Sequence, residues 1–155
     1  MSCRCTRPRL YAGKACCLTL VSVDNFPEFN LTGKVALVTG SARGLGRAIS
    51  LALAHAGADV ALGLRDVNAH GGLPGEIEAL GRRALPLQME MTKMDQICQA
   101  VERTVAHFGR LDILVNNAGI ALGNLAENVR EEDYDLTLAV NVKGTSSLVR
   151  PLAGS

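Results

Sequence analysis

From residue 34 onward the apolar positions alternate between two periods. Residues 34–39 (KVALVT) form a short, unbroken apolar run that ends at glycine, the pattern of a strand buried on both faces. Residues 48–56 are rich in alanine and leucine and close at Gly57, which predicts a helix with a glycine stop. The alternation then repeats. Residues 59–64 (DVALGL) predict a second strand, 75–80 a short helix ending near Gly81, and 83–88 a third, weaker strand. Residues 94–108 predict a helix ended by Gly109, with Ile97, Val101 and Val105 on one stripe. Residues 111–115 (LDILV) predict a fourth strand. Residues 131–149 predict one long helix with acids in its first turn, where the helix dipole favours them.

Strands alternating with helices through short links imply parallel strands joined by right-handed crossovers. The fold class is therefore α/β, a doubly wound parallel sheet. The four strands supply one side of it and the first strand across the switch point, and the pattern stops after the following helix. There is no internal repeat.

Composition narrows the class. The chain has 155 residues, of which 48% are apolar and 20% charged, a globular balance. A net charge of +1 does not call for nucleic acid, and no apolar run approaches the roughly 18 residues of a membrane span. The charge is unevenly placed: Arg4, Arg7, Arg9 and Lys14 precede the first acid, Asp24, and Cys3, Cys5, Cys16 and Cys17 fall in the same stretch. Residues 1–30 are expected to be a disordered extension. A basic segment followed by ACCLTLVSV keeps a targeting peptide as the alternative, though no clean cleavage site follows. The cysteine cluster has no nearby His or acidic partner to complete a metal site. Cys98, alone in the body of the chain, is expected to be a small core residue, and its solitude fits a reducing, cytoplasmic compartment.

The candidate chemistry lies at the first strand–helix junction, TGSARGLG, residues 39–46, with glycines at 40, 44 and 46. A helix N-terminus offers free backbone N–H groups and a positive dipole end, and glycine lets a phosphate come close. Gly46 would let the helix pack tightly on the strand.

Three segments in order resemble the short-chain dehydrogenase/reductase family: TGSARGLG its TGxxxGxG motif, LDILVNNAG its NNAG motif, and LAVNVKGT its helix with a catalytic asparagine. The resemblance spans about residues 30–150, making residues 31–155 a partial NAD(P)-binding Rossmann domain. It implies an oxidoreductase moving hydride between a nicotinamide dinucleotide and an alcohol or ketone. The members most alike in look are 3-oxoacyl thioester reductases and sugar-acid dehydrogenases of the gluconate 5-dehydrogenase type. It further implies that Gly40, Ser41, Arg43, Gly44, Leu45 and Gly46 line the pyrophosphate and adenosine ribose. Asn117, Ala118 and Gly119 would lie along the cofactor. Glu90 and Met91 stand where the family usually has Asp and Val beside the adenine. NAD-binding members usually place an acid at the end of the second strand. Here that place holds Leu64, followed by Arg65 and Asp66, so Arg65 with Arg43 favours a 2′-phosphate and NADP. Asp66 keeps NAD open.

Tyr134, Leu138, Asn141, Thr145 and Leu148 are spaced for one helix face, expected to pack on the sheet and to bury the Asn141 amide. A buried amide needs partners, so Asn141 either caps a nearby backbone group or, as the resemblance implies, holds a water in a proton relay. The family's other catalytic residues are a serine and Tyr-x-x-x-Lys. The two tyrosines here, Tyr11 and Tyr134, have no lysine four residues on. The chain alone is expected to be inactive, a truncated, nucleotide-binding half. The open strand edge at 113–115 makes self-association the further expectation. His55, His70 and His107 have no metal-ligand spacing.

Overall fold

The computed structural model describes residues 29–123 and 125–152; the cysteine-rich leader lies outside them. Four strands form one parallel sheet: β1 (Val35–Thr39), β2 (Asp59–Leu64), β3 (Ala84–Gln88) and β4 (Ile113–Val115), in the order β3-β2-β1-β4. The helices between them are α1 (Gly44–His55), α2 (Leu73–Ala79) and α3 (Met94–Phe108). The order reverses at β1, so the cleft between the β1 and β4 connections is the switch point where such sheets bind ligands.

The apolar runs separate by parity, because successive strand side chains point to opposite faces. Val38, Val60, Leu62 and Leu64 pack with Ala54, Leu73 and Ile77 on the α1–α2 side. Val35, Leu37, Ala61 and Leu87 pack with Ile97, Val101, Phe108 and Leu148 on the other. β1 is buried along its whole length, as a strand covered on both faces must be.

Glycine stops end the helices as the sequence predicts. Gly57 has φ +102°, and the next residue, Ala58, donates its N–H back to the Leu53 carbonyl at 3.0 Å. Gly109 caps α3 with φ +84°. At the far end of the sheet from the cleft, Asp112 ties β4 to β1. Its carboxylate accepts the Val35 N–H at 2.9 Å and the Arg110 Nε–H at 2.7 Å. The Arg110 guanidinium, then the Val35 N–H, hold its pKa down at about 2 against an ordinary 3.8. A lowered carboxylate pKa stabilises the fold above the unfolded value and loses that contribution as pH falls toward the folded one. Stability is therefore expected to decline between pH 3.8 and about 2. Asp112→Asn should flatten that part of an acid-unfolding curve, and an unchanged curve would remove Asp112 as its source.

Three expectations need correction. The α3 stripe is Ile97, Val101, Thr104 and Phe108, while Val105 is 41% exposed. Steps of four residues advance the direction by about 40° each, so a 97-101-105 stripe drifts off the core while a step of three restores it. Cys98 is half-buried beside that stripe, not in the core. The long helix predicted over 131–149 is three pieces: α4 (Glu131–Leu138), a π-helical turn (Ala139–Gly144) and α5 (Thr145–Leu152). The wider π turn re-aims the helix face beyond it. Tyr134 is 57% exposed and Leu138 40%, whereas Leu148 is fully buried.

Candidate functional site

The chain leaves β1 at Thr39 and enters α1 after four residues. Gly40 has φ +67°, a left-handed conformation that favours glycine. The N–H groups of Gly40 and Ser41 both donate to the Gly63 carbonyl, at 2.8 and 3.3 Å, pinning the turn to β2. Gly46 lets α1 close on the turn: a Cβ there would stand 2.3 Å from the Gly40 oxygen and 2.4 Å from Asn117 Nδ2. No side chain fits that gap.

α1 therefore begins at Gly44, four residues before its alanine-rich part, directly on the turn. Its N-cap, Arg43, is extended and gives no side-chain hydrogen bond, and the first turn holds no acid. The helix end keeps its positive field, with no side chain among the described residues shown bonding its leading N–H groups. Such an end is suited to an anion.

β4 is clasped to the same turn. Thr39 Oγ1 accepts the N–H groups of Asn117 and Ala118 at 3.0 and 2.9 Å and donates to the Val115 carbonyl at 3.3 Å. Asn117 Nδ2 donates to the carbonyls of Thr39 and Gly40, at 2.9 and 3.2 Å. The NNAG segment and the glycine turn thus form one hydrogen-bonded unit.

Around this unit lies an open cleft of about 780 Å³. It brings together the glycine turn, Arg43 to Gly46, Arg65 with Asp66, Glu90 with Met91, and Asn117 to Gly119. Ser41 is the exception among the expected cofactor contacts. It is fully buried, its hydroxyl donates to the Gly63 carbonyl at 3.4 Å, and it does not line the cleft. Its place in the turn makes it part of the foundation.

Arg43 and Arg65 are both exposed at the cleft, and neither pairs with an acid among the described residues. Asp66 is partly engaged: its Oδ1 accepts the Asn68 N–H at 3.0 Å. Gln88 steadies this corner, accepting the Val67 N–H at 3.1 Å and donating to the Arg65 carbonyl. Glu90 pairs loosely with Lys93, at 3.6 Å.

Asn141 lies outside the cleft lining, in the π turn. The expected buried amide is an exposed residue bonded on both sides to one backbone unit. Its Oδ1 accepts the Ile120 N–H at 2.9 Å and its Nδ2 donates to the Ile120 carbonyl at 2.8 Å. The paired bonds fasten the loop after β4 to the helix. Sequence reasoning does not single out Thr39's hydroxyl, Gly63, Gln88 or Gly144. Each acts across the fold on residues distant in sequence.

Similarity to known proteins agrees with this geometry. The family model of the short chain dehydrogenases matches residues 34–154. The 3-oxoacyl-[acyl-carrier-protein] reductase of Thermotoga maritima is 40% identical over 120 residues, covering 77% of this chain and 49% of the relative. A short chain dehydrogenase from Burkholderia cenocepacia, solved in complex with NADP, superposes with a TM-score of 0.76 at 42% identity, over 80% of this chain and 51% of that one. A short chain dehydrogenase from Mycobacterium paratuberculosis bound to NAD superposes at 0.74 and 30% identity, over 78% and 49%. The chain spans about half the length of these relatives. With the glycine turn, the NNAG clasp and the asparagine helix all in place, it belongs to the short-chain dehydrogenase family of oxidoreductases.

Proposed function

We propose that this chain binds NADP(H) in the cleft, in the service of hydride transfer to or from an alcohol or ketone, with 3-oxoacyl thioesters as the substrate class. The observation that carries the cofactor reading is the pair of exposed arginines that line the cleft, Arg43 at the N-cap of α1 and Arg65 just after β2, with no acid paired to them among the described residues. A 2′-phosphate would satisfy both, whereas Asp66, the NAD-type acceptor, already spends one oxygen on Asn68. The residues present fit a dinucleotide: Gly40 is left-handed at φ +67°, no Cβ fits at Gly46 where α1 closes on the turn, and the N-cap Arg43 places no side-chain hydrogen bond on the helix N-terminus. The backbone of Gly44, Leu45 and Gly46 would hold the pyrophosphate, Glu90 and Met91 would flank the adenine, and Asn117, Ala118 and Gly119 would run beside the cofactor. A bound nicotinamide supplies or accepts the hydride.

Asn141 is assigned to the proton relay on the family's pattern, with its side chain engaged at Ile120. Tyr11 and Tyr134 lack the following lysine, so these 155 residues carry the binding and orienting share of the reaction. The 3-oxoacyl class is drawn from likeness to the Thermotoga maritima reductase.

Calorimetric titration of NADPH and NADH into wild type and Arg65→Ala tests the reading. Wild type is expected to prefer NADPH. The variant should lose about tenfold or more of that preference, because a charge-assisted bond contributes about 1.5–3 kcal/mol. An unchanged preference would reduce Arg65 to a solvated charge. The same samples should show no NADPH oxidation on addition of a ketone panel, and turnover would overturn the division of labour.

A further inference from the structure

The π turn touches both walls of the cleft. At Asn141 it holds Ile120, which lines the β4 side. Three residues later it ends at Gly144, buried against Met91, which lines the cleft from the loop after β3, beside Glu90. The Gly144 contact is closer than any side chain permits: a Cβ would lie 2.5 Å from the Met91 carbonyl oxygen and 3.0 Å from the Met91 Cβ. The loop at 90–93 is held independently from α3, since Gln96 Oε1 accepts the Glu90 N–H at 2.9 Å and Lys93 donates its N–H to the Glu90 carbonyl at 2.9 Å. The loop is thus seated between α3 and the bare backbone of Gly144.

From this arrangement we infer that Gly144 is a positioning residue. It sets the Met91 wall in register with the Ile120 wall, and so fixes the width of the cleft where the adenosine end of the cofactor would lie. The inference rests on the reading of the cleft as a dinucleotide site. A methyl group at 144 must displace the Met91 backbone or the helix by roughly 1 Å, a misplacement that can cost a binding constellation up to about 100-fold. Gly144 touches no cofactor itself. Its effect would pass entirely through Met91 and Glu90.

The test compares Gly144→Ala with Gly75→Ala, a control on α2 where an added Cβ meets nothing within 4 Å. Two readouts are taken: hydrogen exchange at the Glu90 and Lys93 amides without ligand, and affinity for adenosine 2′,5′-bisphosphate and, separately, nicotinamide mononucleotide. Gly144→Ala should speed exchange at both amides and weaken the adenosine probe by about 10-fold or more, with the mononucleotide changed much less. Gly75→Ala should alter neither. Unchanged exchange, faster exchange with unchanged adenosine affinity, equal loss for both probes, or general loss of protection across β1 would each overturn the inference. A wild type that fails to bind either probe would sink the reading of the cleft, leaving the exchange measurement to decide whether Gly144 seats the loop.

Discussion

Gly46→Ala is expected to weaken dinucleotide binding severely and to destabilise the fold. The added methyl would meet the Gly40 oxygen at 2.3 Å and Asn117 Nδ2 at 2.4 Å, and these two groups are themselves hydrogen-bonded at 3.2 Å. α1 must therefore move outward, or the Asn117 bond to the turn must break. Either shift carries the N–H groups of Gly44 to Gly46 away from the place where a phosphate would sit. Overpacking costs about 1–3 kcal/mol in general, and a clash with backbone belongs at the upper end. Binding should weaken by up to about 100-fold, the scale of a 1 Å misplacement. Urea unfolding and an NADPH titration on one sample check both parts. A variant that binds within about threefold of wild type would show that α1 does not need its close seat.

Thr39→Val is the second large effect, and it concerns stability first. Thr39 is 1% exposed, and its hydroxyl serves three backbone groups on the β4 side. Valine keeps the shape and leaves the Ala118 N–H without that acceptor, while the Asn117 N–H keeps the Val115 carbonyl at 3.1 Å. One polar group left unsatisfied costs about 1–3 kcal/mol, and a loss of that size is expected. Thr39→Ser keeps the hydroxyl and should recover most of it. A urea midpoint for Thr39→Val equal to wild type would mean that water replaces the hydroxyl, and the clasp between β4 and the turn would lose its structural meaning.

These two residues also mark how far the sequence can be read. The change of period along the chain gives the element order, and with the doubly wound pattern it implies three strands on one side and the fourth across the switch point, as in the observed order β3-β2-β1-β4. The glycine turn and NNAG segment are legible because they are continuous stretches with a chemical purpose. Thr39 is different. It reads as one more β-branched strand residue, and its partner Val115 is 76 residues away. The start of α1 is hidden for a related reason: Gly46 is a poor helix former, yet its close approach to Gly40 and Asn117 holds it in the first turn, after Gly44 at φ +56°. The π turn is invisible to a pattern of period 3.6, since one wider turn leaves composition untouched and only rotates the helix beyond it. That rotation buries Leu148 while leaving Tyr134 and Leu138 exposed. It also brings Asn141 to Ile120 and Gly144 to Met91.

The central claim is that the N-terminus of α1, seated on the glycine turn in the cleft that Arg43 and Arg65 line, is a dinucleotide phosphate site. Amide chemical shifts followed during NADPH titration test it most directly. The account predicts saturable shifts at Gly44, Leu45 and Gly46, with Arg65, Glu90 and Met91 responding on the same curve and the Asp112 corner at the far end of the sheet unmoved. Saturable binding that leaves Gly44 to Gly46 unshifted, or no binding at millimolar NADPH, would contradict it.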